Sequence, residues 1–356
     1  LTPLSLARII GLNFWEEDRM KDATNGRRRF VATAGFAALA GALGEALVGR
    51  EVRADDDDDV EKFIRTVKKA RLFDLSQLWD ENSPIAGVNP SFSTTNDPAQ
   101  DPLHQAANHA STRGAFGDGG QLSFTGEVMR WSGQHGAPSI DAIGHIGHNG
   151  LLFGGVDAAK STSNPLGIGR SGVGANLDIA HYPNELLVNR GVLLDVARFV
   201  NRNADPLAGA FNITGDLLED TARHQRVKIK RGDTVLVRTG WGRYFSENPA
   251  LYKGDNAAGV GVTGAQWLIK RGARVVGNDT LTFEARPPVS FPPEVPQFQV
   301  FPVHMLVIAD NGINIIENFL LDEIAAAKEY EFLLVVPPLK MRGGTGSALR
   351  SFALVP

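Results

Sequence analysis

Five short runs constrain this chain more than any other feature: Gly191–Asp195, Asp233–Arg238, Ala273–Gly277, His304–Ile308 and Phe332–Val336. Each is apolar for most of its length, rich in Val, Ile and Leu, and bounded by Gly, Pro or Asp, which reads as a strand. A strand with one wet face would alternate polar and apolar residues, whereas near-continuous runs imply burial on both faces. Helical segments fall between them. Thr214 is placed to cap a segment carrying Leu217, Leu218 and Thr221, and Thr263 with Gln266 forms a capping-box pattern before Trp267, Leu268 and Ile269. The class this predicts is α/β, with a mixed central β-sheet covered by helices. From Val60 onward the sequence shows no linker, repeat or long charge run, so one domain of about 300 residues is expected. Only Asn89–Gly126 breaks the pattern; it is polar and Gly-rich, and predicts a long surface loop of the kind that carries function.

The other end of the chain reads differently. Gly26-Arg27-Arg28-Arg29-Phe30 opens an Ala/Gly-rich apolar run to Gly49, and Val52-Arg53-Ala54 ends in a small residue just before Asp55–Asp59. The pattern is that of a twin-arginine export signal over residues 1–54 with cleavage after Ala54, which predicts an exported, periplasmic protein. The run contains Glu45 and is too weakly hydrophobic for an anchor, so no stable membrane span is expected after signal removal. Residues 55–71 read as an acidic spacer ahead of a domain over 72–356. The 356 residues include no cysteine, which excludes disulfides, thiolate nucleophiles and cysteine-held metals. A net charge of −4 with scattered Lys and Arg gives no basic field for nucleic acid. Any metal must rest on His, Asp and Glu.

Three of the eight histidines lie in Gln134-His135-Gly-Ala-Pro-Ser139-Ile-Asp141-Ala-Ile-Gly-His145-Ile-Gly-His148. Small residues between them let the backbone turn sharply, so His135, Asp141 and His145 can face one space. Imidazole plus carboxylate without sulfur suits zinc, manganese or iron(II), and the donor types do not choose among them. A second element is His304, opening an apolar run, and Glu317, closing Gly312–Ile316. The Asp310-Asn311-Gly312 turn predicts a hairpin that sets the two side by side. A buried Glu317 calls for a cation.

The first segment resembles the signature of the cyclase, or kynurenine formamidase-like, family, H-x-G-T-H-x-D-x-P-x-H, which includes isatin hydrolases. His135, Asp141 and His145 fall on its first His, its Asp and its last His. Arg190–Asp195, Leu236–Trp241, Val276–Thr280, the His304–Glu317 pair and Pro338–Gly346 resemble further family blocks in order, so the likeness spans about residues 72 to 354. It implies the swivelling β/β/α cyclase fold, a small-molecule substrate and a homo-oligomer. It also implies a divalent metal, Mn2+ or Zn2+, and hydrolysis of a C–N bond in a small amide, formamide or cyclic amide. His135, Asp141, His304 and Glu317 would be ligands, with Asp141 able to bridge two ions, and His145 would act as general acid/base.

The departures matter as well. Ser139 stands where the family has its second His, and Pro138 and Ile143 replace the usual Thr and Pro. A neutral hydroxyl is a weak zinc ligand. Three outcomes follow: one ion on the remaining ligands, a site completed by His148 or Gln134, or an exported relative that binds without hydrolysing. A lyase or dehydratase using His145 is a further alternative. Trp131, beside the signature, is the aromatic with a positional argument for a substrate pocket; Trp79, Phe153 and Trp241 read as core, and His181 as a turn residue. Gly167–Gly172 matches G-x-G-x-x-G without a preceding strand and reads as a plain loop.

Overall fold

The computed structural model of the protein describes residues 57–78, 83–84, 105–108, 125–128, 138–162, 173–174 and 176–356. The export-signal residues 1–54, and Trp131, Gln134 and His135, lie outside the described residues, as do residues 167–172. Among the described residues no helix is long and apolar enough to cross a membrane.

Nine strands form the central sheet: β1 (Arg71–Asp74), β2 (Ser139–Asp141), β3 (Val188–Asp195), β4 (Thr234–Arg238), β5 (Val275–Asn278), β6 (Asn314–Glu317), β7 (Glu331–Val335), β8 (Gly346–Ala348) and β9 (Phe352–Val355). Their spatial order is β1-β9-β7-β3-β4-β5-β6-β2-β8. The middle four, β3 to β6, pair in parallel, and every other pairing is antiparallel. The sheet is therefore mixed, and the chain is α/β as its apolar runs predict.

Alternation along each strand feeds two cores. Val192, Leu194, Val235, Val237, Val276 and Ile315 point into one; Leu193, Leu236, Val275, Ile316 and Ile140 point into the other. Helix α1 (Asp57–Lys69) precedes the sheet, and the first core is closed by α2 (Gly215–Gln225) and α3 (Val262–Arg271), which bring in Leu218, Ala222, Ala265 and Leu268. Thr214 caps α2 by accepting a hydrogen bond from the Leu217 amide at 3.3 Å, as its position predicts.

Three expectations are corrected. The His304–Ile308 run is helical: Pro302–His304 makes a helical turn that continues as a π-turn over Met305–Ala309, closed by Asp310 N–H donating to the Met305 carbonyl at 3.0 Å. A short apolar run does not distinguish a buried strand from a buried helix, and Pro302 at the first helical position favours the helix. No hairpin forms, and β6 lies parallel to β5 instead. The capping box fails too, because α3 starts at Val262 with Gly261 as its cap. A Cβ at position 261 would overlap the Asn212 side chain, while Thr263 Oγ1 accepts a hydrogen bond from the Gly215 amide at 3.4 Å. Finally, Asn89–Gly126 is not wholly irregular: Gln105–Asn108 pairs antiparallel with Thr125–Val128. Within the span read as an acidic spacer, Asp57–Lys69 forms a helix with aspartates at its start and Lys68 and Lys69 in its last turn, the arrangement the helix dipole favours.

One buried cation ties the parallel strands to the second core. Arg238, 1% exposed, donates to Asp195 at 2.8 Å, to Asp322 at 3.0 Å and to the Ala204 carbonyl at 3.1 Å.

Candidate metal centre

The centre is assembled by strand register. In β2, residues two apart share a face, so Ser139 and Asp141 point one way and Ile140 the other, into the core. Antiparallel pairing sets Glu317 opposite Ser139 and Ile316 opposite Ile140. Glu317, Ser139 and Asp141 therefore share the face on which α2 and α3 lie. His304 reaches them from its helical turn. Its Nε2 is 3.3 Å from Glu317 Oε1 and 3.8 Å from Asp141 Oδ2. Asp141, His304 and Glu317, all buried, offer one ligand atom each within 4.8 Å of one another. Of the predicted ligands the structure thus brings these three together, by a helix-and-strand route rather than the expected hairpin.

A residue absent from the sequence reading holds His304. Glu284, 2% exposed, takes the imidazole Nδ1 at 2.5 Å and accepts hydrogen bonds from the backbone amides of His304 at 3.0 Å and Val303 at 3.3 Å. Nε2 is left facing Asp141 and Glu317, the orientation a carboxylate behind a metal-binding imidazole imposes. Burial alone would lower the His304 pKa, but the hydrogen bonds and charges of Glu284 and Glu317 hold it well above the ordinary value. The imidazole is a proton site among carboxylates, and a divalent cation would compete with that proton.

The donor chemistry fits such an ion. Two solvent-excluded carboxylates this close are costly without a nearby cation, and an N/O set of this kind suits zinc or manganese. Ser139 adds a further polar atom: 1% exposed, on the same face and opposite Glu317, its hydroxyl makes no hydrogen bond among the described residues.

His145 lies at the rim. Its Nε2 is 4.0 Å from Asp141 Oδ1 and its side chain is 19% exposed, so it borders both the cluster and solvent. The turn that carries it is tight: the His145 amide bonds the Ala142 carbonyl at 2.9 Å, and a Cβ on Gly144 would strike Val173. His148 is engaged elsewhere, its Nδ1 2.9 and 3.1 Å from the two oxygens of Asp310. Of the residues set aside, Trp241 is core and His181 bonds Asp178 in a turn, but Phe153 is 37% exposed.

Behind the cluster, Asp279 fixes the turn after β4. It accepts from the Thr239 amide at 2.8 Å, the Thr239 hydroxyl at 2.7 Å and the Gly240 amide at 2.8 Å. Burial pushes its pKa up to about 6 against the pull of Arg238 and these bonds. The Tyr252 hydroxyl donates to Asn318, next to Glu317, at 2.8 Å.

A mixed α/β sheet with a buried carboxylate–imidazole cluster at the junction of a parallel and an antiparallel strand defines the class, and comparison with known proteins places it. The family model Cyclase, described as “Putative cyclase”, matches residues 73–285, more than half of the chain. The chain belongs to the cyclase family. The matched span includes Asp141, His145 and Glu284, while His304 and Glu317 lie beyond it. Among curated proteins, isatin hydrolase of Roseibium aggregatum is 28% identical over 163 residues, 43% of this chain and 55% of that protein, so the match spans about half the relative's length. Among solved structures, one described as a novel cyclase is 24% identical with a TM-score of 0.63, covering 82% of this chain and 89% of its own. An isatin hydrolase bound to the product analogue thioisatinate is 18% identical with a TM-score of 0.58, covering 85% and 99%. Isatin hydrolase A from Ralstonia solanacearum is 18% identical with a TM-score of 0.56, covering 84% and 97%. At these identities the structures show the shared fold.

Proposed function

We propose that this protein is a metal-dependent hydrolase that opens a C–N bond in a small amide, formamide or cyclic amide. The observation that carries the reading is the convergence of Asp141, His304 and Glu317, buried and within 4.8 Å, in a member of the cyclase family whose curated relative is an isatin hydrolase. Asp141, His304 and Glu317 would hold the ion, with His135 as a further ligand on the strength of the family signature. A divalent ion so held supplies Lewis acidity to a carbonyl and lowers the pKa of water toward 7. Glu284 orients the His304 imidazole, and the surrounding strands exclude solvent from the carboxylates. His145, 4.0 Å from Asp141 and open to solvent on one side, takes a proton from the attacking water and returns it to the leaving nitrogen. The side-chain hydroxyl of Ser139 contributes a weak donor where the family signature has its second His.

The test is metal analysis of the purified chain followed by an amide, formamide and lactam panel on the same sample. The reading expects stoichiometric divalent metal, turnover with at least one panel member, and loss of that turnover by about 100-fold or more in His145→Ala with metal retained. Stoichiometric metal with small-molecule binding and no turnover across the panel would support the non-hydrolytic alternative, to which Ser139 lends its weight. Export is part of the proposal, carried by Gly26–Ala54; a mature N-terminus near Asp55 on protein recovered from the periplasm checks it.

A further inference from the structure

Glu284 also borders a cleft of about 180 Å3, which Arg286, Ser290, Glu294, Asn212 and Val303 line as well. None of Asp141, His304 and Glu317 lines it. Its singular member is Arg286. The residue is 5% exposed, yet it forms no ion pair among the described residues, and its Nε has no hydrogen-bond partner. One Nη donates to the Tyr252 carbonyl, and the charges of Glu317 and Asp255 act on the guanidinium without a direct ion pair among the described residues. Burial lowers the Arg286 pKa from its ordinary value against the pull of Glu317 and Asp255, so desolvation of the cation outweighs what those charges return. Buried arginines are otherwise paired; in this protein Arg190 and Arg238, comparably buried, each bond two carboxylates.

We propose that the cleft is a binding site for a small carboxylate, which pairs with the guanidinium of Arg286. A planar carboxylate matches the charge and the fork of the guanidinium that borders the cleft. The two acids on the walls do not forbid this. Glu284 is offset by His304 and by two backbone amides, and Glu294 lies on the exposed rim, where it accepts from the Ser290 hydroxyl. Ser290, 3% exposed, offers that hydroxyl to an incoming anion instead. A cavity of about 150 Å3 accommodates a benzene-sized ligand, so the cleft takes a carboxylate from acetate up to roughly benzoate.

The test is calorimetric titration of the full, metal-loaded chain with sodium acetate and sodium benzoate against sodium chloride at matched ionic strength. Saturable binding of at least one carboxylate is expected, weakened about tenfold or more in Arg286→Gln. Glu294→Gln, an exposed change that leaves the fold intact, is expected to tighten binding about threefold by removing a like charge from the rim. Asp141→Asn should leave the binding unchanged, which separates this site from any anion bound at the metal and from the fate of the hydrolase reading. No carboxylate binding, binding lost in Asp141→Asn, or binding left unchanged or weakened in Glu294→Gln would overturn the proposal.

Discussion

Substituting Glu284 by Gln probes the cluster without touching a ligand. The carboxylate takes three N–H groups: His304 Nδ1 at 2.5 Å, His304 N at 3.0 Å and Val303 N at 3.3 Å. Gln keeps one acceptor oxygen but turns an NH2 toward groups that are themselves donors, so at least one amide bond is lost and the imidazole bond becomes neutral. Replacing a charge-assisted bond by a neutral one costs about 1–2 kcal/mol, and loss of a carboxylate behind a ligating His typically costs about 10–100-fold in metal affinity. We expect roughly 30-fold weaker zinc binding, about 2 kcal/mol, measured by competition with a chromophoric chelator. The sign of the pH dependence follows from the raised His304 pKa. In the wild type, protons compete with the metal below that pKa; Glu284→Gln relieves this competition, so the deficit should shrink as pH falls and be fullest in alkaline buffer. Glu331→Gln, which alters a half-exposed partner of Arg190, serves as the control. A folded Glu284→Gln protein that binds zinc within threefold of wild type in alkaline buffer would refute the reasoning.

Three further outcomes follow from the same geometry. Because Asp279 titrates near 6 when folded and near 3.8 when unfolded, its contribution to stability is fully present below about pH 4 and falls as pH rises through 6. Urea unfolding of wild type relative to Asp279→Asn should therefore lose on the order of 3 kcal/mol between pH 4 and 7, and a pH-independent difference would contradict this. Arg238→Ala leaves buried Asp195 with only the partly exposed Arg198 as a cation among the described residues and should cost about 3 kcal/mol in the same assay, an effect under 1 kcal/mol arguing against the buried pair. His148→Ala should keep its full metal content by elemental analysis, because the imidazole bonds Asp310; loss of metal would make His148 a ligand after all.

Four of the nine strands, β3, β4, β5 and β7, were legible: β4, β5 and most of β3 are buried on both faces and β7 alternates buried with half-buried residues, so their apolar runs are rich in β-branched and aliphatic residues. His304–Ile308 misled for the same reason: burial erases periodicity, and the four apolar residues Met305–Ile308 fit a helix in the first core as well as a strand. Asp141, His304 and Glu317 were readable as chemistry, a carboxylate after Ile140 and another after Ile316 having no place in an apolar core without a counter-charge. Their meeting depends on the β2–β6 register, which no local pattern encodes. Glu284 was missed because its partner is 20 residues away across a loop and its neighbours, Phe283 and Ala285, give no motif; a lone acid just beyond the Asn278-Asp279-Thr280 block was the available signal. Arg286 was equally silent, since an arginine declares itself unpaired only once its surroundings are known.

The central claim, that Asp141, His304 and Glu317 hold a divalent ion, is tested most directly by anomalous diffraction from crystals of the metal-loaded protein, recorded on either side of the metal absorption edge. The account predicts an anomalous peak bonded at about 2.0–2.2 Å to an oxygen of Asp141, an oxygen of Glu317 and Nε2 of His304. A fully loaded protein whose peak lies away from these three atoms, or a protein that turns over substrate with no peak at all, would contradict it.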